Sequence, residues 1–319
     1  MNIQVKKAAF MWAVMTVALT VCAYGQAFGN EQDFQVQRSG NGLTITGYSG
    51  RDTRVQIPQR ISGMPVTAIG EAAFTKKALV SVSIPDSVVS IGDWAFADNQ
   101  IGNVAFGNRV ALIGKAAFIN NVLTNIALPS GLTSVGDWAF AGNQLSNVVL
   151  GNMITLIGYA AFFDNSLTGI TLPNSLVVIG AHAFNSNQLA GIVIPNNVVS
   201  VGAGAFANNR LSNVVLGSRV AYLADDVFNN NSIESISIGS GINSISESVF
   251  SGSLGRVSRV AIGMNVNLFS LEPAGGAWTA FSDAYRSNGY RAGIYSLFNG
   301  QWFFQSSVAE NAGDFWGMQ

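Results

Sequence analysis

The chain has 319 residues, of which 49% are hydrophobic and only 10% charged, with 16 basic against 17 acidic side chains and one cysteine. Ordinary soluble proteins carry roughly 25% charged residues, so a surface this poor in charge must be built from Asn, Ser, Thr, Gly and Ala. Such a balance argues against nucleic acid as a partner, because few phosphate counterions would be released, and a lone cysteine excludes a disulfide framework.

Lys6 and Lys7 precede an uncharged run from Ala8 to Asn30, and Ala23, Tyr24 and Gly25 place small residues at the spacing a signal peptidase reads. Residues 1–25 are read as a cleaved secretory signal. Two alternatives stay open. One is an uncleaved anchor, whose apolar core Gly25, Gln26 and Gly29 would shorten. The other is a lipoprotein, where Leu19-Thr20-Val21-Cys22 presents Val21 in place of the expected small residue. Cleavage removes the cysteine and leaves 14 basic against 17 acidic residues, a net charge of −3, with no membrane span in the mature chain.

Residues 26–78 form an N-terminal cap and a first coil. Gly42 to Tyr48 alternates apolar and polar residues like a strand. Val55-Gln56-Ile57-Pro58 opens the coil, with an insertion around Ser62, Gly63, Met64 and Pro65.

Residues 79–263 are an array. A phenylalanine returns every 22 residues, at Phe74, Phe96, Phe118, Phe140, Phe162, Phe184, Phe206, Phe228 and Phe250. An asparagine keeps the same step at Asn99, Asn121, Asn143, Asn165, Asn187, Asn209 and Asn231, and gives way to Lys77 and Ser253 in the terminal coils. A fixed period of this length is the mark of a solenoid, in which each unit buries its apolar face against the next. The phenylalanines are expected to form a buried spine and the asparagines to satisfy turn backbone groups inside the coil.

Each unit opens with an apolar, x, x, apolar, x, apolar pattern, as in Leu123, Ile126 and Leu128, which fits a short strand ended by Pro85, Gly107, Pro129 and their successors. The second half, Val88 to Phe96 in one unit, must return to the same core, and its length predicts a helical or 3₁₀ turn. Asp93-Trp94 recurs 44 residues on as Asp137-Trp138, which points to duplication of a two-unit module.

Residues 264–305 change character and are expected to cap the array. Phe281, Ala284 and Tyr285 have helical spacing that Asn288-Gly289 would stop, and Asn299-Gly300 between apolar runs is a hairpin signal. Residues 306–319 are read as a flexible tail.

The repeated Ile, Gly, x, x, Ala, Phe motif, seen at Ile69 to Phe74 and its copies, resembles the BspA-like (treponemal-type) leucine-rich repeat proteins over about residues 42 to 263. Asn stands where that class often has Cys. The resemblance implies a curved, right-handed solenoid on a bacterial surface, used to attach to host proteins, matrix or other cells. The expected fold is thus an α/β solenoid of about ten 22-residue coils, with parallel strands on the concave face, an N-terminal β cap and a C-terminal helix plus hairpin cap.

Catalysis is not expected. His182 is the only histidine, so there is no multi-histidine metal site. The segment Gly107 to Lys115 fails as a phosphate loop because its glycines are misplaced and Ala116 replaces Ser or Thr. Asp93 and Asp137 lie two coils apart, about 10 Å at strand spacing, but that separation comes from the repeat itself. Neither metal nor cofactor is expected.

The strand positions pointing away from the core carry small uncharged side chains, among them Thr124, Asn125, Ser146, Asn147, Thr168, Thr171, Ser212 and Asn213, and no Lys or Arg occurs from Ala116 to Asn209. These residues are the candidate binding face for an extracellular protein, and the expected role is a secreted or cell-surface adhesin. Two other readings stand beside it: a glycan-binding protein that stacks sugars on convex-side Trp94 and Trp138, and a structural protein that self-associates through the uncharged middle coils.

Overall fold

The computed structural model describes residues 30–242, 244–245, 247–250, 253, 257–263, 266 and 277–306. The signal segment with Cys22, and the tail beyond Ser306, lie outside the described residues.

The array is a β-solenoid whose coils carry two short parallel strands each, except for one coil that has a single strand. One row of strands forms a continuous sheet through Ser90–Ile91, Leu112–Ile113, Ser134–Val135, Leu156–Ile157, Val178–Ile179, Ser200–Val201, Tyr222–Leu223 and Ser244–Ile245. Its register advances by one repeat per coil, with Leu112 opposite Ser134 and Ile113 opposite Val135. The expectation of a helical or 3₁₀ turn in the second half of each unit is therefore corrected for the coils up to Phe228, while in the last one Glu247–Phe250 does form a 3₁₀ turn. Among the described residues the one α-helix is Ala277–Ser287, in the C-terminal region.

Local geometry explains why no helix forms in the coils of Phe74 to Phe228. Each coil from Phe74 to Phe228 holds two residues with left-handed backbone, two before and two after the phenylalanine, such as Trp94 and Asp98 (φ +58° and +54°) or Ala116 and Asn120 (φ +52° and +54°). This breaks any i to i−4 ladder. The backbone instead bonds from coil to coil: the N–H groups of Trp94, Phe96 and Asp98 donate to the carbonyls of Lys115, Ala117 and Ile119 at 2.8, 2.8 and 3.0 Å. The glycine of the motif permits this close stacking, since a Cβ on Gly92 would lie 2.8 Å from the backbone N of Glu71 and 2.9 Å from the carbonyl carbon of Gly70.

The other row of strands is interrupted. Arg54–Gln56, Ser81–Ser83 and Asn103–Ala105 form one parallel sheet, Asn125–Ala127 and Asn147–Val149 a second. Gly191–Val193, Asn213–Val215, Ser235–Ile238 and Arg259–Ile262 belong to a third. No strand is formed at 168–172, although Leu167, Ile170 and Leu172 keep the apolar pattern. Gly169 occupies the position held by Asn125 and Asn147 in preceding coils, yet Gly191 holds the same position in the next coil and begins the strand Gly191–Val193, so glycine alone does not account for the gap.

Between the two rows lies the core. The phenylalanine rings from Phe74 to Phe250 stack with centroids 4.9–5.8 Å apart and planes within 15°. At the N-terminal end Phe34 and Tyr48, from the antiparallel strands Phe34–Ser39 and Gly42–Tyr48, cover the last ring, Tyr48 at 5.4 Å and Phe34 at 6.3 Å from Phe74. At the other end, the helix packs Phe281 and Tyr285 against Tyr295 of the hairpin formed by Gly293–Phe298 and Gln301–Ser306, which turns at Asn299 and Gly300 (φ +48° and +77°). The hairpin extends the third sheet by pairing antiparallel with Arg259–Ile262.

Candidate functional site

Every asparagine of the column from Asn99 to Asn231 is buried, and in each the side chain closes the same set of backbone bonds. Asn143 accepts from the Leu123 N–H at 3.1 Å, while its Nδ2 donates to Phe118 O at 3.0 Å, Phe140 O at 3.1 Å and Ala141 O at 3.3 Å. It thereby ties its own turn to the coil before it. These atoms face the interior, and nothing about them is open to a ligand.

The candidate binding residues fall on the interrupted strand face. Thr124, Asn125, Ser146, Thr168, Thr171 and Asn213 are exposed, and Asn147 and Ser212 half-buried. They are linked locally: Asn125 Nδ2 donates to Thr124 Oγ1 at 3.2 Å, Ser146 Oγ to Thr124 O at 3.2 Å, and Asn213 Nδ2 to Ser212 Oγ at 3.1 Å. Thr124, Asn125, Ser146 and Asn147 sit together on the sheet of Asn125–Ala127 and Asn147–Val149 or at its edge. Thr168 and Thr171 lie in the strandless coil that follows, and Ser212 and Asn213 belong to the next sheet, so the eight do not share one unbroken sheet.

A second surface escaped the sequence reading. Outward positions of the continuous sheet carry Leu112, Leu156, Val178 and Tyr222 between serines 90, 134 and 200, and Leu112 and Tyr222 are each 51% exposed. Reading the column six residues before each phenylalanine exposes it. It was hidden because Leu112 and Ile113 are both apolar, which erases the alternation of a two-residue strand.

The third surface is the corner that follows the continuous sheet. The left-handed position two residues before each phenylalanine holds, in coil order, Ala72, Trp94, Ala116, Trp138, Ala160, His182, Gly204 and Asp226, so bulky and small residues alternate. An L-residue in that region costs about 1–2 kcal/mol relative to glycine-like freedom. Trp94 is nevertheless 39% exposed. Trp138 is half-buried and held from one side, with Tyr159 at 5.2 Å and Phe163 at 5.7 Å, and Tyr159 meets His182 edge-on at 5.6 Å. His182 Nδ1 lies 3.0 Å from Asn185 Nδ2, a contact in which the amide donates.

Beside each tryptophan stands a fixed carboxylate. Asp93 Oδ1 accepts from the Lys115 N–H at 2.8 Å and Asp137 Oδ1 from the Tyr159 N–H at 2.7 Å. The glycine of the following coil makes the room, since a Cβ on Gly114 or Gly158 would collide with these oxygens. Both carboxylates are thus engaged in joining coils. Among the described residues no three His, Cys, Asp or Glu side chains converge as a metal site would require.

Coils of 22 residues, a phenylalanine stack and an internal asparagine column define a leucine-rich-repeat type of solenoid. The chain belongs to the BspA type leucine rich repeat family, which it matches in six copies over residues 67–190 and 155–270. Among solved structures it is similar to a leucine rich cell surface protein from Faecalibacterium prausnitzii, at 23% identity and TM-score 0.42 over 76% of this chain and 91% of that one. It is also similar to the pneumococcal vaccine antigen PcpA, at 17% identity and TM-score 0.46 over 73% and 80% of the two chains. A leucine-rich repeat protein from Bacteroides ovatus matches at 19% identity and TM-score 0.46, over 79% and 80%. Among curated proteins none matches.

Proposed function

We propose that this protein is a non-catalytic interaction scaffold, exported to the bacterial surface, that binds a host or matrix protein through the strand face bearing Thr124, Asn125, Ser146 and Asn147. The observation that carries this reading is the face itself: a row of short hydroxyl and amide side chains, exposed or half-buried, on a rigid sheet. Membership of a repeat family whose members are typically surface or secreted scaffolds supports it. Among the described residues no helix is long and apolar enough to cross a membrane.

Label-free binding of the purified chain to a panel of matrix proteins tests the proposal. Saturable binding tighter than about 10 μM, near −7 kcal/mol, that is lost on substituting Thr124, Asn147 and Thr168 is the expected result. With no Lys or Arg between Ala116 and Asn209, affinity should hold steady up to salt concentrations where the Debye length falls to about 3 Å. Binding that collapses with salt would place the contact on another, charged part of the chain.

A further inference from the structure

We propose that the corner carrying Trp94 and Trp138 is a second binding site, distinct from the strand face, for a neutral glycan of extended β-linked pyranose units. The starting point is a pair of rings the fold does not require. The left-handed backbone at this corner is met by alanine in three coils and by glycine in another, at Ala72, Ala116, Ala160 and Gly204. Indoles stand there in two coils at φ +58°, and Trp94 remains exposed. Alanine meets the same backbone conformation in the coils between without a ring, so the fold does not need the indoles, and Trp94, 39% exposed, keeps part of its ring open to what lies outside the coil.

The spacing selects the ligand. Trp94 and Trp138 are separated by one coil bearing Ala116, so they repeat at two strand spacings, about 10 Å. In an extended β-1,4-linked chain each ring is turned over relative to its neighbour, so the same CH face returns at every second sugar. A platform in every second coil reads that face. Between and beside the rings are directional polar groups. Asp93 and Asp137 each have one oxygen fixed by the next coil's N–H, which leaves the other to accept from sugar hydroxyls, and the exposed Lys115 lies in the coil between. Two carboxylates against one ammonium disfavour an anionic polysaccharide. A protein partner would need a wider apolar centre than two separated indoles provide.

Affinity electrophoresis of the full chain in gels containing hydroxyethylcellulose, a soluble β-1,4-linked glucan, tests the site, with soluble starch as the α-linked comparison. The expected result is retardation by the β-glucan alone. Trp94→Gly should weaken it by about tenfold and the double change at Trp94 and Trp138 should abolish it. Glycine relieves the left-handed residue and offsets part of the packing lost with the indole, so Trp94→Gly should keep a cooperative thermal transition well above the gel temperature, and a binding loss there is not a folding loss. Substitution of Thr124, Asn147 and Thr168 should leave retardation intact, which separates this site from the strand face. No retardation, equal retardation by starch, or retardation that survives the double substitution would each overturn the proposal.

Discussion

Asn143 shows how much one side chain can hold when it replaces a turn's missing partners. Its amide meets one donor and three acceptors of the backbone in two successive coils. Asn143→Ala strands those groups away from water, and at about 1–3 kcal/mol for an orphaned buried group the expected loss is about 3 kcal/mol in urea unfolding. Asn143→Asp should be worse at neutral pH, because a carboxylate would face three carbonyl oxygens and keep only the Leu123 N–H. That environment raises its folded-state pKa above the unfolded value near 3.9. The penalty therefore shrinks as pH falls through the folded pKa, and the variant should gain stability relative to the parent between pH about 7 and about 4. An aspartate variant whose deficit did not change with pH would contradict this picture. Phe162 has a different dependence. It stacks between Phe140 at 5.6 Å and Phe184 at 5.4 Å, whose own positions are fixed by further rings. Phe162→Ala should cost about 3–5 kcal/mol, with no dependence on pH.

At the scale of the element, the strand rows differ in how much the sequence reveals. The phenylalanine and asparagine columns were legible because one residue type repeats without substitution through the middle of the array. The second strand was not, since two residues with one facing inward carry no period to read. Nor were the left-handed corners, because tryptophan, alanine and histidine are not the residues that mark positive φ. The gap at 168–172 was not legible either, since the apolar pattern around it reads as an unbroken strand, and Gly191, which does lie in a strand, stands at the same repeat position as Gly169. A Cβ on Gly169 would meet nothing within 4 Å, and its φ lies outside the left-handed range. Gly169→Thr should therefore favour the extended chain and gain about 0.5–1 kcal/mol. Denaturant midpoints of the two proteins check this; a loss of stability would mean that the coil needs glycine for a reason other than strand propensity.

For the whole molecule, stability rests on neighbouring coils and on what closes the ends. The C-terminal cap is the end most open to a chemical test. Burial pushes the Tyr285 phenol up to about 12, with Tyr295 beside it adding to the rise, and burial raises Tyr295 as well. A phenol whose folded pKa lies above its unfolded value near 10 favours the folded cap fully below about pH 10, and that contribution is lost as pH climbs through the folded value. Alkali should therefore open the helix and hairpin before it disturbs the phenylalanine stack, which has no titrating ring. Opening the hairpin unpairs Arg259–Ile262 from Gly293–Phe298, and a freed edge of Val260, Ala261 and Ile262 invites association with a second chain. The expected course is a late phase of phenolate absorbance near pH 12 that coincides with rising light scattering, while coil β-structure persists in circular dichroism. Tyr285→Phe keeps the ring and removes the ionisation, so it should move the scattering onset to higher pH. A single phenolate phase near 10, or an onset unmoved by Tyr285→Phe, would show that the cap does not depend on this buried phenol.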